Sequence, residues 1–168
     1  VLGLLSGCGS DVSANVLNVY NWGEYIADGS DDTMDVNALF EKETGIKVNY
    51  TTFDSNENMY NKLKSGGANY DIVIPSDYMI ARLIEEGLVQ KIDFGNIPNY
   101  SNIMDKYKGL YFDPNDEYSV PYNVGMVGVI YNTKMVEGEP DSWALMWDEK
   151  YSGQILNFNT VSYTHLRA

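Results

Sequence analysis

The sequence predicts an α/β fold, a parallel-rich sheet with flanking helices. Three observations carry this prediction. Strand-like and helix-like segments alternate from Val16 to Glu86. The run YDIVIP is short, continuous and apolar, the mark of a parallel strand buried on both faces. The helical segments between strands have their own start and stop residues, which short crossover helices require.

The elements follow in order. VLNVY, Val16 to Tyr20, is rich in β-branched and aromatic residues and reads as the first strand. DVNALFEKETG follows, with Val36, Leu39 and Phe40 at i, i+3, i+4 on one helical face and Gly45 as the stop. IKVNYTTF alternates Ile46, Val48 and Tyr50 with polar neighbours, a second strand. In DSNENMYNKLKSGG, Asp54 and Glu57 have capping-box spacing, Met59, Tyr60 and Leu63 form an apolar face, and Gly66-Gly67 ends the helix. YDIVIP is the third strand and Pro75 closes it. SDYMIARLIEEG makes a third helix, with Ser76 at its cap and Met79, Leu83 and Ile84 facing inward.

Beyond Glu86 the pattern weakens. NIPNYSNIMDKYKGLYFDPNDEYS has no period and reads as loop with short turns. YSVPYNVGMVGVIYN is β-like but interrupted by Gly125 and Gly128, and is longer than a typical strand. It suits a segment passing from one body of structure to another. DSWALMWDEKYSG reads as a short helix capped by Asp141 or Ser142, and QILNF begins another strand.

Composition limits the function classes. The 168 residues give a net charge of −13, from 24 acidic and 11 basic side chains. Such a chain is a poor partner for nucleic acid, whose phosphates need Lys and Arg. The acidic clusters DGSDD and DPNDE read as solvated loops, and the first lacks the alternating order of a calcium loop. With one histidine and one cysteine the chain has no metal-ligand cluster, and no cofactor is expected. There is no G-x-S-x-G, H-E-x-x-H, P-loop or dinucleotide fingerprint, so an enzyme is not expected either. No apolar run reaches the ~20 residues that span a bilayer. The start, VLGLLSGCGS, is instead a short apolar run ending in small residues and the lone cysteine. Residues 1–7 read as the remnant of a secretory signal. LSGC resembles a bacterial lipobox, which implies a lipidated Cys8 and a polar tether over residues 8–15.

Ligands of open parallel sheets bind beyond the carboxyl ends of the strands. Two segments leave strands there with unusual side chains: Trp22-Gly23-Glu24-Tyr25 and Ser76-Asp77-Tyr78. Both have structural explanations. Trp22 and Tyr25 would cap a core, while Ser76 and Asp77 suit the first turn of a helix. Glu24 is harder to explain that way. A carboxylate pressed between rings is partly desolvated and calls for a cation. An organic ammonium with a hydrocarbon chain matches, since rings attract cations and cover methylenes while carboxylates bind the charged ends. A sugar would stack on the rings too, but would favour neutral amides. Glu24 and Asp77 together could serve glycoside hydrolysis, which their spacing does not favour.

These residues also carry a resemblance. LNVYNWGEYI, FEKETGIKVNYTTFDSNENMYNKLKSGGANYDIVIPSDYMI, EGLVQKID, FDPNDEYSVPY and SWALMWDEKYSG are similar to the bacterial spermidine/putrescine-binding receptors of polyamine ABC importers, from about Leu17 to Phe158. The resemblance implies a periplasmic-binding-protein-like (type II) two-lobed fold that closes like a hinge on its solute, present here mostly as the first lobe. It implies residues 16–124 as that lobe and 125–159 as the crossing and the start of the second. It also implies an extracytoplasmic protein that hands a polyamine to a membrane permease, and the lipobox-like LSGC would anchor that protein to the membrane. By position, Trp22, Glu24 and Tyr25 match the family's first ligand-binding segment, and Ser76 and Tyr78 the second. Asp77 falls where the family varies, which leaves its role open. The family's remaining acidic and aromatic ligand residues come from the second lobe. Where that supply would begin, TVSYTHLRA lacks the expected acidic residue and helix, and residues 160–168 resemble the non-native tails of truncated gene models. A first lobe without its returning C-terminal segment is expected to be marginal, prone to aggregation and weak in binding. A receptor for a sugar or another cation, and a carboxylate-based hydrolase, stay open as alternatives.

Overall fold

The computed structural model describes residues 15–67 and 69–157. They fall into two compact units that divide between Val120 and Pro121. The sequence places its lobe boundary between residues 124 and 125.

The first unit is built on a three-stranded parallel sheet of order β2-β1-β3, with β1 Val16–Trp22, β2 Lys47–Phe53 and β3 Ile72–Val73. The register of β1 on β2 runs without a break from Val16 opposite Lys47 to Trp22 opposite Phe53. A polar ladder pins it from the side. Asn49 Nδ2 donates to Asn18 Oδ1 at 3.0 Å, and the Asn18 amide groups donate to Asp71 Oδ2 at 2.8 and 3.1 Å. A slip by one residue would turn every side chain to the other face and break this ladder as well.

Three helices join and follow the strands: α1 Val36–Thr44, α2 Asn56–Lys64 and α3 Asp77–Glu85. The chain steps from β1 outward to β2, then back past β1 to β3. Right-handed crossovers in opposite directions put α1 and α2 on opposite faces of the sheet. The core lies under α2 and α3, where Tyr20 and Phe53 meet Met59, Tyr60, Met79 and Leu83. Met59, Met79 and Leu83 are fully buried, as the helical periodicity predicts.

Several elements depart from expectation. The face Val36, Leu39, Phe40 of α1 stays exposed, and the helix buries no residue. α1 packs on β2, an edge strand, so the sheet covers only part of it. Its ends match expectation: Asp35 caps Ala38 N at 2.9 Å, and Gly45 takes φ 72°, a conformation that favours glycine. The cap of α2 is Ser55, not Asp54; Ser55 Oγ accepts from Asn58 N at 3.2 Å. β3 is not buried on both faces. It is the other edge of the sheet, and Ile72 is 43% exposed. Ser76 holds the cap position of α3, but its hydroxyl makes no cap hydrogen bond.

The segment from Phe94 to Tyr107 forms three short 3-10 turns, as its aperiodic sequence suggests. DPNDE is not simply a solvated loop. Asp113 is 3% exposed, and its carboxylate accepts from the amides of Glu117, Tyr118 and Ser119 and from Ser119 Oγ, all at 2.9–3.0 Å. Burial raises the Asp113 carboxyl, but the amides of Tyr118 and Glu117 and the Ser119 donors outweigh it and hold it below the usual value.

The second unit contains no strand among its described residues. Neither the β-like YSVPYNVGMVGVIYN nor the described part of QILNF forms a strand. β-pattern residues form a strand only where a neighbouring strand accepts their backbone groups. DSWALMWDEKYSG forms two 3-10 turns, Trp143–Trp147 and Glu149–Tyr151, with Ser142 Oγ capping Ala144 N at 3.1 Å. Cys8, residues 1–7, most of the 8–15 tether and residues 160–168 lie outside the described residues. Among the described residues no helix is long and apolar enough to cross a membrane, and no group of acids, His or Cys could hold a metal ion.

Candidate functional site

The site grows from the parallel register. Trp22 ends β1 directly opposite Phe53 at the end of β2, so the two rings leave the sheet together, with centroids 4.5 Å apart. Phe53 is buried in the core and Trp22 packs over it half-buried. The chain then turns at Gly23 and places Glu24 and Tyr25 on the rim. Tyr25 is 40% exposed, and its ring centroid lies 6.1 Å from that of Trp22. The result is an open concavity of ≈ 680 Å³ lined by Tyr20, Trp22, Glu24, Tyr25, Phe53 and Asp54.

All three residues of the first predicted segment therefore share one wall. Glu24 differs from expectation in its surroundings. It is exposed rather than pressed between rings, because it lies in the turn and not on the strand. It makes no hydrogen bond or ion pair to any described residue. Its charge faces the opening uncompensated.

The second segment follows β3 at the same edge of the sheet. Ser76 and Tyr78 are held by Asn56, the first residue of α2. Asn56 Oδ1 accepts from Ser76 N at 3.0 Å, and its Nδ2 donates to Ser76 Oγ at 3.0 Å and to Tyr78 Oη at 2.9 Å. This accounts for the missing cap bond: the Ser76 hydroxyl is engaged elsewhere. Tyr78 Oη also donates to Glu57 Oε1 at 3.1 Å. Asp77 accepts from Tyr78 N at 2.8 Å. Burial, together with the Asp77 carboxylate, pushes the Tyr111 phenol above its usual value. Glu24 lines the concavity, and Asp77 is not among its lining residues.

Sequence reasoning missed Tyr20, Phe53, Asp54 and Asn56. A signal for two of them was present. TTFDSN repeats after the second strand what YNWGEY shows after the first: a strand ending in a ring and followed within two residues by a carboxylate. Asn56 gave none, since a buried asparagine looks like any helix-start residue.

Comparison with known proteins places this geometry. The model of the bacterial extracellular solute-binding protein family matches residues 37–166. The spermidine/putrescine-binding periplasmic protein of Escherichia coli (strain K12) is 42% identical over 145 residues, covering 84% of this chain and 40% of that protein. The putrescine-binding periplasmic protein SpuD of Pseudomonas aeruginosa (strain UCBPP-PA14) is 39% identical over 153 residues, 86% of this chain and 40% of that one. Among solved structures, the spermidine/putrescine ABC transporter substrate-binding protein PotD from Streptococcus pneumoniae superimposes with a TM-score of 0.71 at 42% identity, covering 82% of this chain and 41% of that one. The TpPotD lipoprotein of Treponema pallidum gives 0.70 at 32% identity, over 80% and 40%. The chain spans about 40% of the length of the curated relatives it matches. The fold is that of the periplasmic binding proteins, represented here by a partial domain of parallel strands and helices. The chain belongs to the bacterial extracellular solute-binding protein family.

Proposed function

We propose that this chain supplies one wall of a polyamine receptor that serves an ABC importer. The observation that carries the reading is the concavity at the carboxyl edge of the sheet. There, Trp22 and Tyr25 present rings to a ligand's methylenes and Glu24 presents a carboxylate with no partner among the described residues. Each ring contributes about 0.5–2 kcal/mol of cation–π attraction, and the carboxylate adds a charge-assisted hydrogen bond. The relatives named for spermidine and putrescine, 42% and 39% identical, support the same ligand class. In this reading the protein does no chemistry: it captures, closes and delivers to a permease. Residues 16–124 form the first lobe, and 125–159 the crossing and the start of the second. Ser76, Asp77 and Tyr78 complete the ligand edge. Cys8 carries a lipid that holds the receptor at the outer face of the membrane, and residues 160–168 are not native to the receptor.

The test is calorimetric titration with spermidine, putrescine and maltose. The expected result is weak, millimolar-range binding of the polyamines, none of maltose, and a loss of about tenfold in Glu24→Gln. Equal binding of maltose, or polyamine binding indifferent to Glu24→Gln, overturns the reading. The anchor is tested separately by fatty-acid labelling in bacterial cells, which should vanish in Cys8→Ala.

A further inference from the structure

We infer that Asp54 is a second ammonium-binding carboxylate of this wall, so that the wall selects ligands with two cationic ends. The inference rests on the polyamine reading above and names a determinant of its specificity.

The argument starts from the register. Trp22 pairs with Phe53, so the next residues, Gly23 and Asp54, leave the sheet side by side from strands about 4.8 Å apart. Glu24 follows the Trp22 strand and Asp54 the Phe53 strand, and the two rings meet at 4.5 Å between centroids. Both line the concavity. Neither forms an ion pair with a described lysine or arginine.

Asp54 is also oriented. Ser55, not Asp54, caps α2, which releases the Asp54 carboxylate from the helix end. Asn58 Nδ2 donates to Asp54 Oδ1 at 2.8 Å. Oδ1 is thereby held from the helix side, and no described donor engages Oδ2. Asn58 acts here as a positioning residue.

The same corner already holds an ammonium. Lys62 Nζ lies 4.9 Å from the centroid of Tyr20, a ring of the concavity, and 5.3 Å from that of Tyr70, which stacks on Tyr20 at 4.3 Å. An alkyl ammonium on these rings is therefore an arrangement the chain itself adopts. A short alkyl diamine could lay its methylenes across Trp22 and Phe53 and direct one ammonium to Glu24 and the other to Asp54.

The test compares putrescine with n-butylamine, which has the same carbon chain and one ammonium, by amide NMR titration of the chain and its variants. Putrescine should bind about tenfold more tightly than butylamine, the increment of one hydrogen bond to a charged group. Asp54→Asn keeps an acceptor for Asn58 and should bring putrescine down to butylamine affinity, with amide dispersion unchanged. Asp54→Glu should keep most of the preference, and Asn58→Ala should lose part of it. If Glu24→Gln weakens putrescine binding while Asp54→Asn leaves the preference intact, this inference falls and the polyamine reading stands. If the unsubstituted chain shifts with no amine at millimolar concentration, both fall.

Discussion

Two buried polar side chains hold the first unit together, and neither is obvious in the sequence. Asn56 makes three hydrogen bonds with the residues that open α3. Asn56→Ala leaves Ser76 N without its acceptor and should cost about 2–3 kcal/mol, read from urea unfolding. Asn56→Asp should cost a similar amount, since a carboxylate cannot donate to Ser76 Oγ and Tyr78 Oη. Asp113 is the second. Its folded carboxyl lies below the usual value of 3.8, so its contribution is fully present above that pH. The contribution is lost as pH falls through the folded value. Asp113→Asn should therefore flatten the acid side of the stability–pH curve, and urea midpoints at pH 3 and pH 6 measure it. The sequence marked Trp22, Glu24 and Tyr25 because rings and a charge after a strand are locally unusual. It hid Asp113 because an aspartate in DPNDE looks solvated until three amides of the following turn are folded over it.

At the level of elements, α2 and α3 are tied by an ionic clasp as well as by the core. Glu86 accepts from Tyr60 Oη at 2.8 Å and from Lys64 Nζ and Arg82 Nε at 3.0 Å. The Lys64 ammonium, the Tyr60 hydroxyl and the Arg82 guanidinium bring the Glu86 carboxyl down from 4.5 to about 2. The sign follows directly. The depressed carboxyl stabilises the fold above its unfolded value of 4.5, and that support fades as pH drops toward about 2. Tyr60→Phe removes one donor, so the Glu86 titration midpoint should move up, as carbon-detected NMR of the side chain would show. Helix limits were legible here because caps and glycines are local signals, as at Asp35 and Gly45. Burial was not. The apolar face of α1 reads inward by period, yet whether it is covered depends on the position of β2 in the sheet, which no window of sequence contains.

Across the molecule, order is uneven. The first unit has a paired sheet and one continuous core. The described part of the second has only short turns, and it leaves Met126, Ile130 and Leu156 almost wholly exposed. Amides of Val16–Trp22 should resist hydrogen exchange well beyond those of residues 121–157, which should exchange close to the rate of an unstructured chain. The same exposed side chains should bind a hydrophobic dye and drive concentration-dependent association, visible in light scattering. Residues 118–132 carry a β-like pattern, yet no strand forms there among the described residues, because a strand is a relation between two segments and its pattern is visible in only one.

The Asn56 amide has one more consequence. It joins the start of α2 to the start of α3, so the backbone and side chains of Ser76 and Tyr78 are fixed as the chain folds. In the receptor proposed above, these residues would lose little further freedom on meeting a ligand, and the ordering cost of binding would fall on other segments.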